Sequence, residues 1–145
     1  MIIEELNEDN LTSLMSLLVA LWPDCDIEEE LKNYRELINS GIGNCYLAKE
    51  SDDYIGFIHV GSRNDYVEGS SGSPVAYIEG LYVKPAFQQL GIGRKLVAAA
   101  AAWAKEHGFT ELASDTEIEN TGSILFHLRS GFEESGRVVY FIKRL

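Results

Sequence analysis

The chain has 145 residues, 46% of them hydrophobic, so it is long and apolar enough for one packed domain, which we expect to span residues 1–145. Twelve basic against 23 acidic residues give a formal net charge of −11 at pH 7, which argues against a nucleic-acid partner and favours a cationic one. Charge of this sign also serves solubility alone, and both interpretations stay open at this point.

The sequence also bears on location and on metals. No apolar stretch is long and uncharged enough to span a bilayer, so we expect no membrane association. The segment Met1–Leu6 contains early acids and no basic residue, unlike a signal peptide. Cys25 and Cys45 lack metal-ligand spacing and are expected to be reduced thiols. We therefore predict a cytoplasmic protein without a metal site.

The first half of the chain is predicted to form a strand, two helices and a β-hairpin. Apolar residues recur at 3.6-residue spacing in both helical stretches. Asp26, with Glu29 three residues later, has the pattern of a capping box at the start of the second helix. The predicted elements are a strand over Met1–Leu6, helices over Asn7–Trp22 and from Asp26 to Gly41, and strands over Cys45–Lys49 and Tyr54–Gly61.

The second half is predicted to alternate strands and helices. A polar loop over residues 62–73 leads into a long strand over Val75–Val83, a glycine-rich turn and an alanine-rich helix ending at His107. A short strand over Glu111–Ser114 and a helix over Ile118–Ser130 follow. Two closing strands are predicted over Phe132–Glu134 and Val138–Lys143. The order β α α β β β α β α β β predicts one α+β sheet with helices on its faces.

The turn Gln88-Gln-Leu-Gly-Ile-Gly-Arg-Lys95 lies between a predicted strand and a predicted helix. Free N–H groups at a helix start bind phosphate, and Gly91 and Gly93 have no Cβ to keep an anion away. Arg94 and Lys95 add positive charge. The spacing is neither that of the Walker phosphate loop nor that of dinucleotide-binding folds, and a plain helix entry would explain the glycines equally well.

This Gln-x-x-Gly-x-Gly turn, placed after a strand that contains Glu79, resembles the pyrophosphate loop of the GNAT superfamily of N-acetyltransferases. The resemblance implies the GNAT fold: an α+β fold with a central mixed, mostly antiparallel sheet, helices on both faces, and a V-shaped splay between strands 4 and 5. It also implies acetyl-coenzyme A as co-substrate, its pantetheine arm pairing with strand backbone inside the V. The cofactor-binding residues implied are Leu81, Tyr82, Val83, Gln89, Leu90, Gly91, Ile92, Gly93, Arg94 and Asn120.

An ordered set of short motifs narrows the resemblance to the aminoglycoside 6′-N-acetyltransferases. The motifs are Leu21-Trp22, Asp65-Tyr66-Val67, Glu79–Val83, Ala113–Thr116, Glu119-Asn120-Thr121 and Gly131–Glu134. This branch implies that an acetyl group passes from acetyl-coenzyme A to the 6′-amine of an aminoglycoside within a ternary complex, which confers antibiotic resistance. It also implies a homodimer, and the strand-type segment Val138–Ile142 fits either an interface or an ordinary core strand.

Acetyl transfer to an amine requires a group that accepts a proton from the ammonium ion, and Glu79 is the first candidate. Glu79 interrupts an apolar strand, so it either lies at a cleft or faces solvent by strand alternation. By resemblance Asp115 contacts a substrate amine and shares or takes over this role, unless it only caps the next turn. By resemblance Trp22 and Tyr66 wall the sugar site, although Trp22 also suits a core anchor.

Backbone groups and the last helix complete the predicted site. The N–H groups of Leu81 and Val83 are assigned by position to the pantetheine amides and the thioester carbonyl, and Glu79-Gly80 is predicted to form a β-bulge. Asn120 is assigned to the pantetheine arm by resemblance and is otherwise a helix cap. His127 stands where many acetyltransferases have a tyrosine acid, and we predict a partly buried helix histidine without a catalytic role.

Two other functions remain compatible with the sequence. The nearer one is acetylation of another amine, such as a polyamine or a peptide N-terminus, which only a substrate screen separates from the first. The more distant one is a coenzyme A-binding sensor without catalysis, against which the presence of Glu79 and Asp115 argues.

Overall fold

The computed structural model describes all 145 residues and contains one five-stranded sheet and four α-helices. The elements are β1 (Ile2–Glu5), α1 (Leu11–Leu21), α2 (Ile27–Ser40), β2 (Asn44–Glu50), β3 (Asp53–Arg63), β4 (Val75–Val83), a 3-10 turn (Pro85–Phe87), α3 (Ile92–Glu106), β5 (Leu112–Ala113) and α4 (Thr121–Arg129). The element order agrees with the predicted order as far as α4. None of the helices is long and apolar enough to cross a membrane.

The strands lie in the order β1-β2-β3-β4-β5, with antiparallel pairing throughout except for the parallel pair β4 and β5. β5 pairs with β4 only through Leu112 opposite Ala76 and Ala113 opposite Tyr77. From Ile78 to Val83 the backbone of β4 therefore has no strand partner on that side. This confirms the predicted splay between strands 4 and 5.

Helices cover both faces of the sheet, as predicted. Successive strand residues point to opposite faces, and Leu47 and Phe57 pack in a cluster that contains α1 and α2 residues. Ala48 and Ile58 pack on the other face, in a cluster that contains Leu96 and other α3 residues. Full burial of a side chain such as Phe57 contributes about 1.5–3 kcal/mol relative to exposure, so these two clusters hold the layers together.

α1 begins at Leu11 rather than at the predicted Asn7. The Asn7 side chain accepts hydrogen bonds from the N–H groups of Asp9 (2.8 Å) and Asn10 (3.1 Å), which favours a turn over a helix here. The buried Asn10 side chain in turn donates to the carbonyl of Glu5 at 2.9 Å. This fastens the turn to the end of β1.

α2 and α4 show how caps set helix ends. The Asp26 carboxylate accepts from the N–H groups of Glu28 (3.1 Å) and Glu29 (3.3 Å), so α2 begins as predicted, although the Glu29 side chain forms no return bond. α4 begins at Thr121 rather than at Ile118 because the Asn120 side chain caps it, accepting from the N–H of Ser123 at 3.1 Å.

The prediction of two closing strands is wrong. Residues after Gly131 belong to no strand, so neither Phe132–Glu134 nor Val138–Lys143 joins the sheet. A strand needs a partner for its N–H and C=O groups, and no segment of this chain pairs with the C-terminal one. The apolar side chains of Val138–Ile142 are left exposed, at 63% for Val138 and 92% for Phe141.

The glycine at position 93 is required by packing between α3 and α4. A Cβ there would lie 2.8 Å from Cε1 of Phe126. We expect Gly93→Ala to lower the free energy of unfolding by about 1–3 kcal/mol, because the ring must shift to admit the methyl group. Urea denaturation measures this. Gly122→Ala is the control, since its new Cβ would meet nothing nearer than 3.9 Å, and equal losses in the two variants would contradict the contact.

Candidate active site

A cavity of about 240 Å³ opens where α2 and the end of α1 face strands β3 and β4. Two of the predicted site residues, Trp22 and Glu79, line it. The other lining residues were not predicted from the sequence: Glu30, Asn33, Tyr34, Leu37 and His59. No group of three or more His, Cys, Asp or Glu side chains is placed to hold a metal ion.

Glu79 reaches this cavity because β4 bulges there. His59 pairs with Gly80 and Val60 pairs with Ile78, so Glu79 has no opposite residue on β3. The bulge was predicted at this position, and it turns the side chain away from the regular strand alternation. The Glu79 side chain is 32% exposed, so it lies at a cleft and is neither buried in the core nor open to solvent on all sides.

Trp22 forms a wall of the cavity and is also anchored to the core. Its ring passes so close to Gly80 that a Cβ there would lie 2.8 Å from Cη2 of Trp22. The ring meets Phe57 edge-on, with centroids 6.5 Å apart, yet the residue stays 40% exposed. Trp22 therefore combines a core anchor with a cavity wall, and its contact with a sugar stays a prediction.

The two predicted proton acceptors are joined by two residues that the sequence analysis missed. Arg63 donates from Nε to Glu79 Oε1 at 2.8 Å and from Nη2 to Oε2 at 3.0 Å. The guanidinium carbon lies 3.5 Å from the centre of the Tyr77 ring, and the Tyr77 hydroxyl donates to the Asp115 carboxylate. Burial, and then this hydrogen bond, raise the pKa of Tyr77, so the phenol keeps its proton and acts as the donor.

The remaining polar groups of the cavity leave it acidic. Tyr34 and His59 share a hydrogen bond of 3.1 Å between the hydroxyl and Nδ1. Burial lowers the pKa of His59 and raises that of Tyr34, which favours the neutral form of both groups. Glu30 forms no ion pair, and burial is the main reason that its pKa is raised. The ion pair of Arg63 with Glu79 is therefore the only one formed by a carboxylate of the cavity lining.

The glycine turn has the geometry of an anion site. Gly91 has φ +83° immediately before α3, and nothing lies within 4 Å of where its Cβ would be. The first N–H groups of a helix have no intrahelical acceptor. Arg94 and Lys95 are exposed and take part in no ion pair. Gly93, in contrast, contacts Phe126, so packing accounts for this second glycine.

The other predicted cofactor residues surround this turn. Gln89 (φ +63°) and Leu90 are exposed in it, whereas the Ile92 side chain is buried and leaves only backbone for a ligand. Leu81, Tyr82 and Val83 lie on the length of β4 that β5 leaves unpaired. The Gln88 side chain ties turn to strand by donating to the Val83 carbonyl at 2.9 Å.

Three other residues lie outside the cavity lining. Asn120 caps α4, which was the alternative to a contact with the pantetheine arm in the sequence analysis. His127 Nδ1 donates to the Ser123 carbonyl at 2.7 Å and Nε2 accepts from the Ser114 hydroxyl at 2.8 Å, as suits a structural histidine. Tyr66 is 79% exposed and donates to Glu68 at 2.8 Å, so the structure does not bring it beside Trp22, and its role at the sugar stays a prediction.

Comparison with known proteins identifies the family. The sequence profile described as "Acetyltransferase (GNAT) family" matches residues 7–132. The chain belongs to the GNAT family. It is 42% identical over 126 residues to the aminoglycoside N(6′)-acetyltransferase type 1 of Stenotrophomonas maltophilia, covering 86% of this chain and 81% of that protein.

Two further matches cover nearly the whole of this GNAT chain. The aminoglycoside N(6′)-acetyltransferase type 1 of Serratia marcescens is 38% identical over 140 residues, or 96% of each chain. The solved structure of AAC(6′)-Iy in complex with the bisubstrate analogue CoA-S-monomethyl-acetylneamine superposes with a TM-score of 0.93 at 35% identity, covering 99% of this chain and 98% of that one. The predicted GNAT fold is thereby confirmed.

The partly buried His59 provides a test of the cavity geometry. We expect His59 to titrate below its ordinary pKa of 6.5, because burial disfavours the imidazolium more than the Glu79 carboxylate favours it. The folded state then binds fewer protons than the unfolded state, so this group makes the fold less stable as pH falls below 6.5. NMR titration of the imidazole measures the midpoint. Glu79→Gln should lower the midpoint further, because the Glu79 carboxylate favours the imidazolium, and an unchanged midpoint would contradict this charge interaction.

Proposed function

We propose that this protein transfers the acetyl group of acetyl-coenzyme A to the 6′-amine of aminoglycoside antibiotics in a ternary complex, and so confers resistance to them. The observation that carries the proposal is the position of Glu79: it lies in an acidic cavity walled by Trp22 and on the strand whose open side leads to the glycine turn. The names of the two curated relatives support the same substrate class.

The donor side fits coenzyme A. Acetyl-coenzyme A would supply the acetyl group as a thioester, and the bisubstrate analogue in the solved relative includes a CoA moiety. Residues Gln89–Arg94 would hold the diphosphate through the free N–H groups of α3, the open space at Gly91 and the unpaired Arg94. Leu81, Tyr82 and Val83 would pair with the pantetheine arm as an added strand does, and Asn120 is assigned a further hydrogen bond by family resemblance.

The acceptor side has the carboxylates that the chemistry requires. The amine arrives as an ammonium ion, so one proton must leave its nitrogen before that nitrogen can attack the thioester carbonyl. Glu79 and Asp115 would take this proton directly or through water, because each carboxylate oxygen keeps a lone pair beyond the hydrogen bond it already accepts. General-base assistance of this kind contributes roughly 10²–10⁴ in rate.

The rest of the acceptor site orients the reactants. N–H groups on the open side of β4, next to the bulge at Glu79, would stabilise the developing charge on the carbonyl oxygen. The exposed face of Trp22 offers an apolar surface to a sugar ring, and Glu30 offers a second carboxylate to a polycation. The net charge of −11 favours the approach of such a substrate.

We further propose that the protein is cytoplasmic and acts as one domain over residues 1–145. Both Cys25 and Cys45 are free thiols, which supports a reducing compartment. The two hydrophobic clusters lie on opposite faces of the same sheet, which supports a single folding unit.

We also propose a homodimer in which a second copy covers the C-terminal segment Val138–Ile142. Two features support this: its apolar side chains are exposed, and β5 ends the sheet with an unpaired outer edge. An extended apolar segment and a free sheet edge each gain hydrogen bonds and burial when copies of the chain exchange segments.

The enzymatic proposal is tested by incubating the purified protein with acetyl-coenzyme A and kanamycin. We expect release of free coenzyme A thiol and addition of one acetyl group to the drug, located on the 6′-nitrogen by NMR. Absence of thiol release across a panel of aminoglycosides that carry a 6′-amine would refute the proposed activity.

Matched variants control this experiment. Glu79→Gln and Asp115→Asn keep the side-chain shape but remove the proton acceptor, so each should lower kcat/KM for the amine by about 10–10³-fold while the affinity for coenzyme A stays close to that of the wild type. Glu36→Gln makes the same change of charge on the exposed face of α2 and should leave the rate unaltered. Wild-type rates in the first two variants would remove these side chains from the mechanism.

The dimer is tested by light scattering after gel filtration. We expect the wild type to show twice the chain mass of 16.2 kDa. Phe141→Lys should shift it to the monomer, because a charge would be buried in the interface. Ile42→Lys, at an apolar residue that is 72% exposed in the turn before β2, should leave the mass unchanged. A monomeric wild type would contradict the proposal.

A further inference from the structure

Arg63, the last residue of β3, lies between the two carboxylates assigned to the acceptor amine. Its guanidinium uses two donors on the two oxygens of Glu79, at 2.8 and 3.0 Å. Its carbon stands 3.5 Å from the centre of the Tyr77 ring, whose hydroxyl donates to Asp115. A cation thus already occupies the region where an ammonium ion would contact Glu79.

The Arg63 guanidinium and a substrate ammonium ion would compete for the same Glu79 carboxylate. An ammonium ion in contact with Glu79 would lie close to the Arg63 guanidinium, and two positive charges at that range repel each other. Binding therefore requires the guanidinium to leave at least one oxygen of Glu79. The Arg63 and Glu79 side chains are 42% and 32% exposed, and ion pairs of that exposure contribute little to stability, so the pair opens without loss of the fold.

We propose that Arg63 is an internal competitor of the acceptor amine, which lowers the affinity of the site for every amine by the same factor and so leaves weakly binding amines unbound. Because the guanidinium is tethered to the site, it competes at high effective concentration. An amine with one positive charge gains only the contact at Glu79, and this contact barely exceeds the free energy needed to displace Arg63. A polycation also gains Glu30, which lines the same cavity and has no cation partner. The inference rests on the proposed function, since it specifies which amines that site accepts.

The test compares Arg63→Gln with the wild type by calorimetry, in the presence of coenzyme A. The ligands are kanamycin, spermidine and 6-amino-6-deoxyglucose, which carries a single 6-amine. We expect all three to bind about 5–10-fold more tightly to Arg63→Gln, a factor that corresponds to the loss of one favourable ion pair with its ring contact. Binding of the monoamine, which is weak in the wild type, should become measurable. The affinities of Arg63→Lys should fall between those of the two proteins, because lysine keeps the positive charge without the bidentate geometry of the guanidinium.

Arg35→Gln is the matched control, since it removes the same charge from an exposed ion pair with Glu8, at 3.4 Å, outside the cavity lining. It should leave all three affinities unchanged. Weaker binding to Arg63→Gln than to Arg35→Gln would overturn the inference, because Arg63 would then position Glu79 for the amine. Absence of binding to every variant would overturn it too.

Failure of the proposed function would be distinguishable from failure of this inference. Calorimetry needs no turnover, so a wild type that acetylates no aminoglycoside still reports whether removal of Arg63 tightens amine binding. If the enzyme is active, KM for each amine should fall in Arg63→Gln by the same factor as the dissociation constant. An active enzyme with an unchanged KM in that variant would exclude the competitor role alone.

Discussion

β5 pairs with β4 through only two residues, Leu112 and Ala113, and the rest of β4 keeps its backbone groups free on that side. Each unpaired N–H or C=O group there needs a partner, because leaving such a group buried and unbonded costs about as much as a lost hydrogen bond. A ligand arm that runs along the strand meets this need. The same strand carries Glu79 on its bulge, so in the proposed reaction one element would hold both the donor and the carboxylate for the acceptor.

The acidic groups of the site are kept apart from one another by two neighbours. Glu79 is bonded by Arg63 and Asp115 by Tyr77, while the face of the Tyr77 ring covers the guanidinium. The two carboxylates are thus linked through one guanidinium and one phenol rather than in contact with each other. Glu30 lies on the opposite wall without a cation, so the cleft is short of positive charge until a substrate brings it.

Some features with local causes were predicted from the sequence, whereas two features that depend on distant segments were missed. The start of α2 at Asp26 and the bounds of β4 follow from capping chemistry and apolar patterning within a few residues. The C-terminal strands failed because strand-type residues say nothing about a missing partner. Arg63 was missed because its partner is brought near only by β3–β4 pairing. Tyr77, two residues before Glu79 on the same strand, was the one detectable signal for this network.

Because Trp22 lies so close to Gly80, the strand side and the helix side of the cavity differ in the substitutions that they tolerate. On the strand side any side chain larger than glycine at position 80 collides with the indole, so mutation there disturbs the chemistry and the core together. On the helix side Glu30 and Asn33 line the cavity from α2 without belonging to the hydrophobic cluster, so their replacement alters the cavity lining and leaves the bulge intact. Substitutions in α2 can therefore change the range of accepted substrates without altering the strand that carries Glu79.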